Sequence, residues 1–387
     1  MRMKLGIVTT HPIQYQVPLI REIDSRDGIR VETYYGHLPE AQQQGKGFGS
    51  SFEWDLPLLE GYSWRVIHER DGQETNENVP TCGWSAAYTE VDAMLIHGWQ
   101  SWFMRRALLR GVWSDVPLLV RGDSNSMKPR SWYVRLLHRL YLQPFAKYLY
   151  VGESNRQFYR GAGVSSEDLC FSPRCVENGR FDREWQHLKG ERASIRSEMG
   201  IRESAICFLF CGKFIEKKRP SEVVEAFEAA RRASEIPMHL LMVGDGKLRS
   251  EAEAQVDDEA PVTFTGFLNQ TEIGEAYAAA DVLVLPSDYG ETWGLVVNEG
   301  MIFELPAIVS DRVGCGPDLV HDEETGFTFP LGDTEKLAST MHRAAKEPEH
   351  LREMGKNARE LVLSEYTLES AADGIVKAAR DALSGNP

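Results

Sequence analysis

Pro286-Ser-Asp-Tyr-Gly-Glu-Thr-Trp-Gly-Leu-Val-Val-Asn-Glu-Gly-Met301 comes straight after Asp281-Val-Leu-Val-Leu285. The earlier run is short, apolar and closed by a proline, which reads as a buried strand. Gly290 and Gly294 then keep the backbone loose and open to close approach. Helical spacing resumes at about Leu295, so the loop ends at a helix N-terminus, where free N–H groups and the helix dipole favour an anion. Glu291 and Glu299 flank that terminus, eight positions apart. Eight residues of helix span about 12 Å, too far for the carboxylate pair of a glycosidase at roughly 5–9.5 Å. The separation suits two hydroxyl-rich groups held at opposite ends of a diphosphate. It suits equally well one exposed loop glutamate and one glutamate in an ordinary first helical turn.

Outward from this stretch the same rhythm recurs. Strands are expected at Ala205 to Phe210, His239 to Val243, Val262 to Thr265 and Pro306 to Val309. Between them, Glu222 to Ala233 has helical spacing, with Val223, Val224, Phe227 and Ala230 on one face. In the first half, Lys4-Leu-Gly-Ile-Val-Thr9 reads as a strand leading into His11-Pro-Ile-Gln-Tyr15. Further strands fall at Val31 to Tyr35, Val91 to Ile96, Pro117 to Val120 and Tyr148 to Val151, with helices over 16–25 and near 100–110 and 130–143. Residues 36–55, rich in Gly and Gln and without a period, read as a mobile loop. Val176-Glu-Asn-Gly-Arg-Phe-Asp182 reads as a turn, and the polar stretch beyond it marks a join. Strands alternating with helices give a parallel, doubly wound α/β sheet, here twice over. The domains are therefore expected over 1–185 and 186–366, with a helical run near 367–384 packing back on the first.

Composition narrows the classes. At 387 residues, 42% apolar and 26% charged, the chain has the balance of a globular protein of two or three domains. Leu5 to Val8 is too short an apolar run for a signal peptide, and no stretch nears the ~18 apolar residues of a membrane span. Six cysteines without C-x-x-C or zinc spacing read as reduced core residues of a cytosolic chain. Charge is segregated: residues 1–185 hold 22 basic and 22 acidic side chains, leaving 21 and 36 beyond, the whole of the net −15. Yet residues 102–160 carry 11 Lys or Arg against Asp115, Asp123 and Glu153. Such a patch points to an anionic ligand or membrane surface rather than to nucleic acid.

Several motifs carry chemistry, each beside a plainer reading. Phe210-Cys-Gly-Lys-Phe-Ile-Glu-Lys-Lys-Arg-Pro220 follows a strand, at the end where open α/β sheets bind ligands. Lys213 and Lys218 could reach a diphosphate there, or could belong to a solvated basic turn. Val243-Gly-Asp-Gly-Lys-Leu-Arg249 has part of a dinucleotide fingerprint, but Arg249 replaces the third glycine, which weakens a dehydrogenase reading. His11 and His97 each end a strand and fit either a ligand contact or a capped, satisfied side chain. The chain has no D-x-D and no G-x-S-x-G elbow, so neither a metal nor a cofactor is expected.

Together these pieces resemble a family 4 retaining glycosyltransferase of the GT-B type, strongly over 205–330 and more weakly before it. The E-x7-E signature is matched by Glu291 and Glu299, and the basic G-R/K-x4-K segment by Gly212, Lys213 and Lys218. Gly244-Asp245-Gly246, Phe264-Thr-Gly-Phe267 and Thr325-Gly326-Phe327 match further elements in the family's order. The N-G-x-D turn is matched in part by Asn178, Gly179 and Asp182, with one extra residue. The resemblance implies two Rossmann-like doubly wound domains facing a central cleft, and transfer of a sugar from a nucleotide-diphosphate donor to a glycan, lipid-linked or small-molecule acceptor. By analogy Glu291 holds donor-sugar hydroxyls and Glu299 the ribose. Lys213, Lys218 and the N–H groups at Gly294 and Leu295 take the diphosphate, Phe267 and Leu268 line the base, and Gly212 and Gly244 belong to the same donor site. His97 matches the first-domain histidine that reaches the donor sugar. Thr10-His-Pro-Ile-Gln-Tyr15 departs from the family's glycine-rich loop, so His11 and Gln14 are acceptor candidates only. A non-catalytic sugar-nucleotide-binding protein or a nucleotide-sugar epimerase would share the fold.

Lys128 to Tyr141 adds a basic helix, with Trp132, Tyr133, Leu136, Leu137 and Leu140 on one broad face and Arg135, His138 and Arg139 opposite. The apolar face is wide enough to be used up by core packing, so the preferred expectation is a packed helix with its arginines in water. The alternative for 128–143 is peripheral contact with an anionic membrane, on the cytoplasmic side.

Overall fold

The computed structural model describes residues 2–39, 52–68 and 79–385. Its chain divides into two units. One takes Met1–Glu40, Leu56–Cys175 and Thr367–Pro387, the other Ala41–Asp55 and Val176–Tyr366.

The first unit is built on β1 (Met3–Thr9), β2 (Ile29–Tyr35), β3 (Ser63–Ile67), β4 (Thr81–Cys82), β5 (Ala93–His97), β6 (Leu118–Arg121), β7 (Lys147–Tyr150) and β8 (Leu169–Phe171). They form one parallel sheet in the order β4-β3-β2-β1-β5-β6-β7-β8. Because side chains alternate between the two faces of a strand, Leu5 and Ile7 enter one apolar layer and Val8 the other. Both layers are covered, which is why these strands read as continuous apolar runs. Helices Val17–Asp24 and Leu368–Ser384 close the first layer; Trp84–Thr89, Trp102–Val112 and Glu153–Gly161 close the second.

The second unit repeats the plan with β9 (Ile206–Cys211), β10 (Met238–Val243), β11 (Val262–Gly266), β12 (Val282–Leu285), β13 (Ala307–Ser310) and β14 (Gly326–Phe329). The order is β11-β10-β9-β12-β13-β14, again parallel. Phe208, Phe210, Leu240, Met242, Val282 and Val284 face a layer closed by helices Pro220–Arg232 and Thr334–Lys346. Each fully buried Val, Leu or Phe here contributes about 1.5–3 kcal/mol of transfer free energy.

Strand order reverses once in each sheet, between β1 and β5 and between β9 and β12. Ligands of open α/β sheets bind beyond the carboxyl ends of such a pair, where the loops diverge. The sequence-singled loops after β9 and β12 meet at one switch point, and those after β1 and β5 at the other.

Some expectations change. Residues 176–182 are not a turn: Asn178–Leu188 is a helix of the second unit, so the boundary falls after Cys175 and not at 185. Phe181, Trp185 and Leu188 form its buried stripe, with the Trp185 ring 5.7 Å from Phe303. Of the expected loop over 36–55, residues 40–51 lie outside the described residues, while Phe52–Asp55 are held against the second unit. The packed reading of the basic helix also fails. Along Trp132–Leu142 only Leu142 is buried, and Trp132, Tyr133, Leu136, Leu137 and Leu140 are all exposed. Its inward contacts come instead from His138 and Tyr141, whose rings sit 6.3 and 6.1 Å from Trp99. Among the described residues no helix is long and apolar enough to cross a membrane. All six cysteines are free thiols.

Candidate functional site

In the second unit, backbone crowding sets the geometry. Gly244 has φ +125°, and a Cβ there would lie 2.0 Å from the Gly212 carbonyl oxygen. Only glycine lets the loops after β9 and β10 run this close. They are laced together: Gly212 N donates to Val243 O at 3.0 Å, Phe214 N to Asp245 O at 2.9 Å, and Gly244 N to Gly266 O at 2.8 Å. The chain then makes a short turn over Glu216–Lys218 and passes through Arg219, a non-glycine residue in the left-handed region at φ 52°. Such a conformation costs of order 1 kcal/mol and is held by its surroundings. The turn folds Lys218 back over Gly212, with Nζ 3.8 Å from where a Cβ would stand.

The loop after β12 closes onto that turn. Asp288 N donates to Lys217 O at 2.9 Å, and Lys217 Nζ to Gly290 O at 3.3 Å. Glu291 is thereby brought to the lysines: its Oε2 is 2.5 Å from Lys218 Nζ and 3.8 Å from Lys217 Nζ. Burial pushes the Glu291 carboxyl up, but Lys218, Lys217 and the Ser287 hydroxyl outweigh it and hold the pKa below the usual carboxylate value. Burial, then Lys217 and Lys218, lower the pKa of Lys213. Lys217 and Lys218 thus flank the carboxylate, and Lys213 is near enough for both to lower its pKa. An incoming anion would relieve their mutual repulsion.

Gly294 begins the helix Leu295–Ile302 at φ +106°, with no side-chain cap. A Cβ on Gly294 would meet Leu285 Cδ2 at 2.9 Å and Val313 Cγ1 at 3.2 Å, so both conformation and space require glycine. The loop before it is pinned by Gly314 N to Glu291 O at 3.1 Å and Cys315 N to Trp293 O at 3.0 Å. The helix start at Gly294 and Leu295 is therefore fixed in place. Glu299, 3% exposed, lies one turn further in and accepts from the Tyr277 hydroxyl at 2.5 Å. Burial, helped by Glu299, raises the nearby Cys211 thiol to about 12, which makes it inert.

Phe267 and Leu268 follow β11, at the neighbouring strand end. The ring of Phe52 stacks on Phe267 at 4.2 Å, Asn269 Nδ2 donates to Glu53 O at 2.9 Å, and Thr271 Oγ1 donates to Asp55 at 2.5 Å. Sequence reasoning missed this docked segment, whose only signal is the aromatic pair Phe52 and Trp54 in a polar loop.

His97, His11 and Gln14 belong to the first unit, His97 as the last residue of β5 and the other two in the loop after β1. Burial, with Arg121 and Arg174, drives the His97 pKa well below its usual value, so the ring is neutral. Arg121, buried itself, donates to Ser172 Oγ at 3.0 Å and Pro173 O at 2.7 Å. Sequence reasoning passed over this arginine, which reads only as the end of a strand. His11 Nδ1 is 2.9 Å from Thr10 Oγ1, and its ring is 5.4 Å from His37. Burial and then His37 lower its pKa. Gln14 is 9% exposed. The structure thus assembles Gly212, Lys213, Lys218, Gly244, Glu291, Gly294, Leu295 and Glu299 around one switch point, and sets the two histidines at the other.

The chain is similar to known proteins in part of its sequence and in its fold. Residues 191–361 match the family model for glycosyl transferases group 1. N-acetyl-alpha-D-glucosaminyl L-malate synthase of Bacillus anthracis is 32% identical over 194 residues, 49% of this chain and 49% of that protein. Alpha-D-kanosaminyltransferase of Streptomyces kanamyceticus is 28% identical over 197 residues, 50% of each. The chain thus spans about half the length of the curated relatives it matches. Among solved structures, a sucrose-phosphate synthase from Thermosynechococcus elongatus superimposes with a TM-score of 0.72 at 19% identity over 100% of both chains. Anabaena HepE, in complex with UDP and glucose, gives 0.68 at 13% identity over 98% of this chain and 99% of its own. At these identities the likeness is one of fold. The chain has the two-unit parallel α/β fold of GT-B glycosyltransferases, and its residues 191–361 match the group 1 model.

Proposed function

We propose that the protein is a retaining glycosyltransferase that moves a sugar from a nucleotide-diphosphate donor to a glycan, lipid-linked or small-molecule acceptor, in the cytoplasm. The observation that carries this reading is the cluster of Lys213, Lys217, Lys218 and Glu291 beside the uncapped helix start at Gly294, all at one sheet's switch point. Negative charge grows on the diphosphate as the sugar–phosphate bond breaks. Fixed ammonium groups and helix N–H groups stabilise it without reorganising. Lys213 and Lys218 take the diphosphate, and Glu291, ionised and held by Lys218, accepts from hydroxyls of the donor sugar. Glu299 takes the ribose, and the backbone at Phe267 and Leu268 faces the base. His97 contacts the sugar, and His11 and Gln14 are assigned to the acceptor. Retention of configuration rests on the E-x7-E resemblance. HepE, a structural neighbour solved with UDP and glucose, supports a nucleotide-sugar donor.

The test is a panel of UDP-, GDP- and ADP-sugars read by thermal shift, followed by product identification. A true donor at 100 times its Kd adds about 2.7 kcal/mol and raises Tm. Transfer or slow donor hydrolysis supports the reading. Stabilisation without turnover would make the protein a sensor, interconversion of the sugar an epimerase, and no stabilisation by any nucleotide sugar would overturn the donor site.

A further inference from the structure

The first unit carries an apolar surface that its own core does not use. On helix Trp132–Leu142, Trp132 is 76% exposed, Leu137 61%, Tyr133 55%, Leu140 53% and Leu136 49%. The neighbouring helix Trp102–Val112 adds Trp102, and Trp113 follows it at 88% exposure. The two helices flank the same buried ring: Arg105 Nε donates to Trp99 O at 3.4 Å, while His138 and Tyr141 pack on the Trp99 ring. Across 102–113 and 128–142 the chain has seven Lys or Arg and no Asp or Glu. Arg105, Arg110, Lys128, Arg135 and Arg139 are exposed.

We propose that this face, helix Trp132–Leu142 with the exposed side chains of Trp102–Trp113, is a membrane-binding surface for anionic lipid. Charge and composition select that occupant. Leucine with tryptophan and tyrosine suits the boundary between acyl chains and headgroups, and arginine beside them suits phosphate. A second copy docked face to face would set five exposed cations against five, a like-charge arrangement that opposes association. Nucleic acid would take the cations but leave the leucines in water. Each cation near an anionic surface multiplies affinity several-fold, and the attraction falls away with salt. The surface belongs to the first unit and the donor site to the second, and lipid binding needs no nucleotide.

Co-sedimentation of the full chain with vesicles tests this, comparing phosphatidylcholine alone with phosphatidylcholine containing phosphatidylglycerol. Binding is expected on the mixed vesicles at low salt, with a loss of tenfold or more in 0.5 M salt. Arg135→Glu/Arg139→Glu should lower the partition coefficient at least tenfold, and Trp132→Ser/Leu137→Ser should lower it on the same vesicles. All four positions are exposed, so both variants should keep the parent Tm. Arg352→Glu/Lys356→Glu on the second unit makes the same charge change and should leave binding intact. No binding to anionic vesicles at low salt overturns the proposal, as does equal loss in the second-unit control. A concentration-dependent dimer abolished by Trp132→Ser/Leu137→Ser, with vesicle binding unchanged, would reassign the face to self-association. Nucleotide-sugar thermal shifts in lipid-free buffer are read separately, so failure here leaves the donor reading standing.

Discussion

At the scale of single residues, the site turns on where charge is held. Glu291 and Glu299 share a sequence signature but sit in unlike surroundings: one is ion-paired to Lys218, the other buried beneath a tyrosine hydroxyl. We expect unlike failures. Glu299→Ala should chiefly raise KM for the donor, because ribose contacts change little between ground and transition states. Glu291→Ala should cut kcat by tenfold or more, because in the proposed role it holds the sugar ring, which changes shape during transfer. Equal rises in KM at unchanged kcat in both variants would contradict the division. The same ion pair has a pH signature. Because Glu291 titrates below its usual value when folded, its contribution is complete above the unfolded pKa of about 4.3 and is lost as pH falls through the folded value. Glu291→Gln should therefore lower Tm near neutrality and flatten the acid limb of a Tm-against-pH curve. Identical limbs for both proteins would remove the pair from the stability account. The sequence suggests these roles only because Lys213, Lys218, Glu291 and Glu299 stand at fixed spacings, and the fold brings Lys218 to Glu291. Lys217 was passed over, since in sequence it is one more lysine in a basic turn, and only the fold brings it to Glu291.

At the scale of elements, the glycines are the sharpest test. Gly244→Ala puts a methyl group 2.0 Å from a backbone carbonyl in a conformation that disfavours side chains. We expect it to cost more than about 2 kcal/mol, through backbone displacement that also loosens the lysine loop. Denaturant unfolding with donor titration checks this, and a parent-like midpoint with parent-like affinity would show that the loops need no such approach. Legibility here follows burial. Strands such as β12 and β1, covered on both faces, announce themselves as apolar runs. Two edge strands do not: β8 is three residues long and β14 begins in a glycine turn, whereas the edge strand β11 reads as Val262 to Thr265. Helix Asn178–Leu188 was hidden because asparagine and glycine at its start mimic a turn, although Phe181, Trp185 and Leu188 keep helical spacing. For Trp132–Leu142 the period was right and the facing wrong. Amphipathicity shows that two faces differ, and cannot say which one meets the core.

At the scale of the whole molecule, the charge asymmetry follows the division into units, with a basic surface on a neutral half and the acid surplus beyond it. We expect turnover to be independent of divalent metal, since the lysines and the helix start supply the positive charge. Assays in excess EDTA, with and without added Mg²⁺ or Mn²⁺, check this; activity that EDTA abolishes and metal restores would show that the lysines do not suffice. The two sheets were legible as a repeated rhythm. The first unit's debt to the last helix was legible only as a pattern left over after the second sheet was complete.

That helix has a temporal meaning. Leu368–Ser384 covers the layer that holds Leu5, Ile7, Leu95 and Leu149, and its Gly374 lies so near Phe171 that a Cβ would stand 1.8 Å from the carbonyl oxygen. On a ribosome the first strands emerge early, yet part of one side of their sheet, beyond what helix Val17–Asp24 covers, stays open until Leu368–Ser384 is made. The second unit, written later, has all its strands and helices by Tyr366 and can close first. Synthesis order and folding order are thus reversed for the two units. The nascent first sheet, with part of one apolar face uncovered through nearly two hundred further residues of translation, is where a chaperone would be needed most.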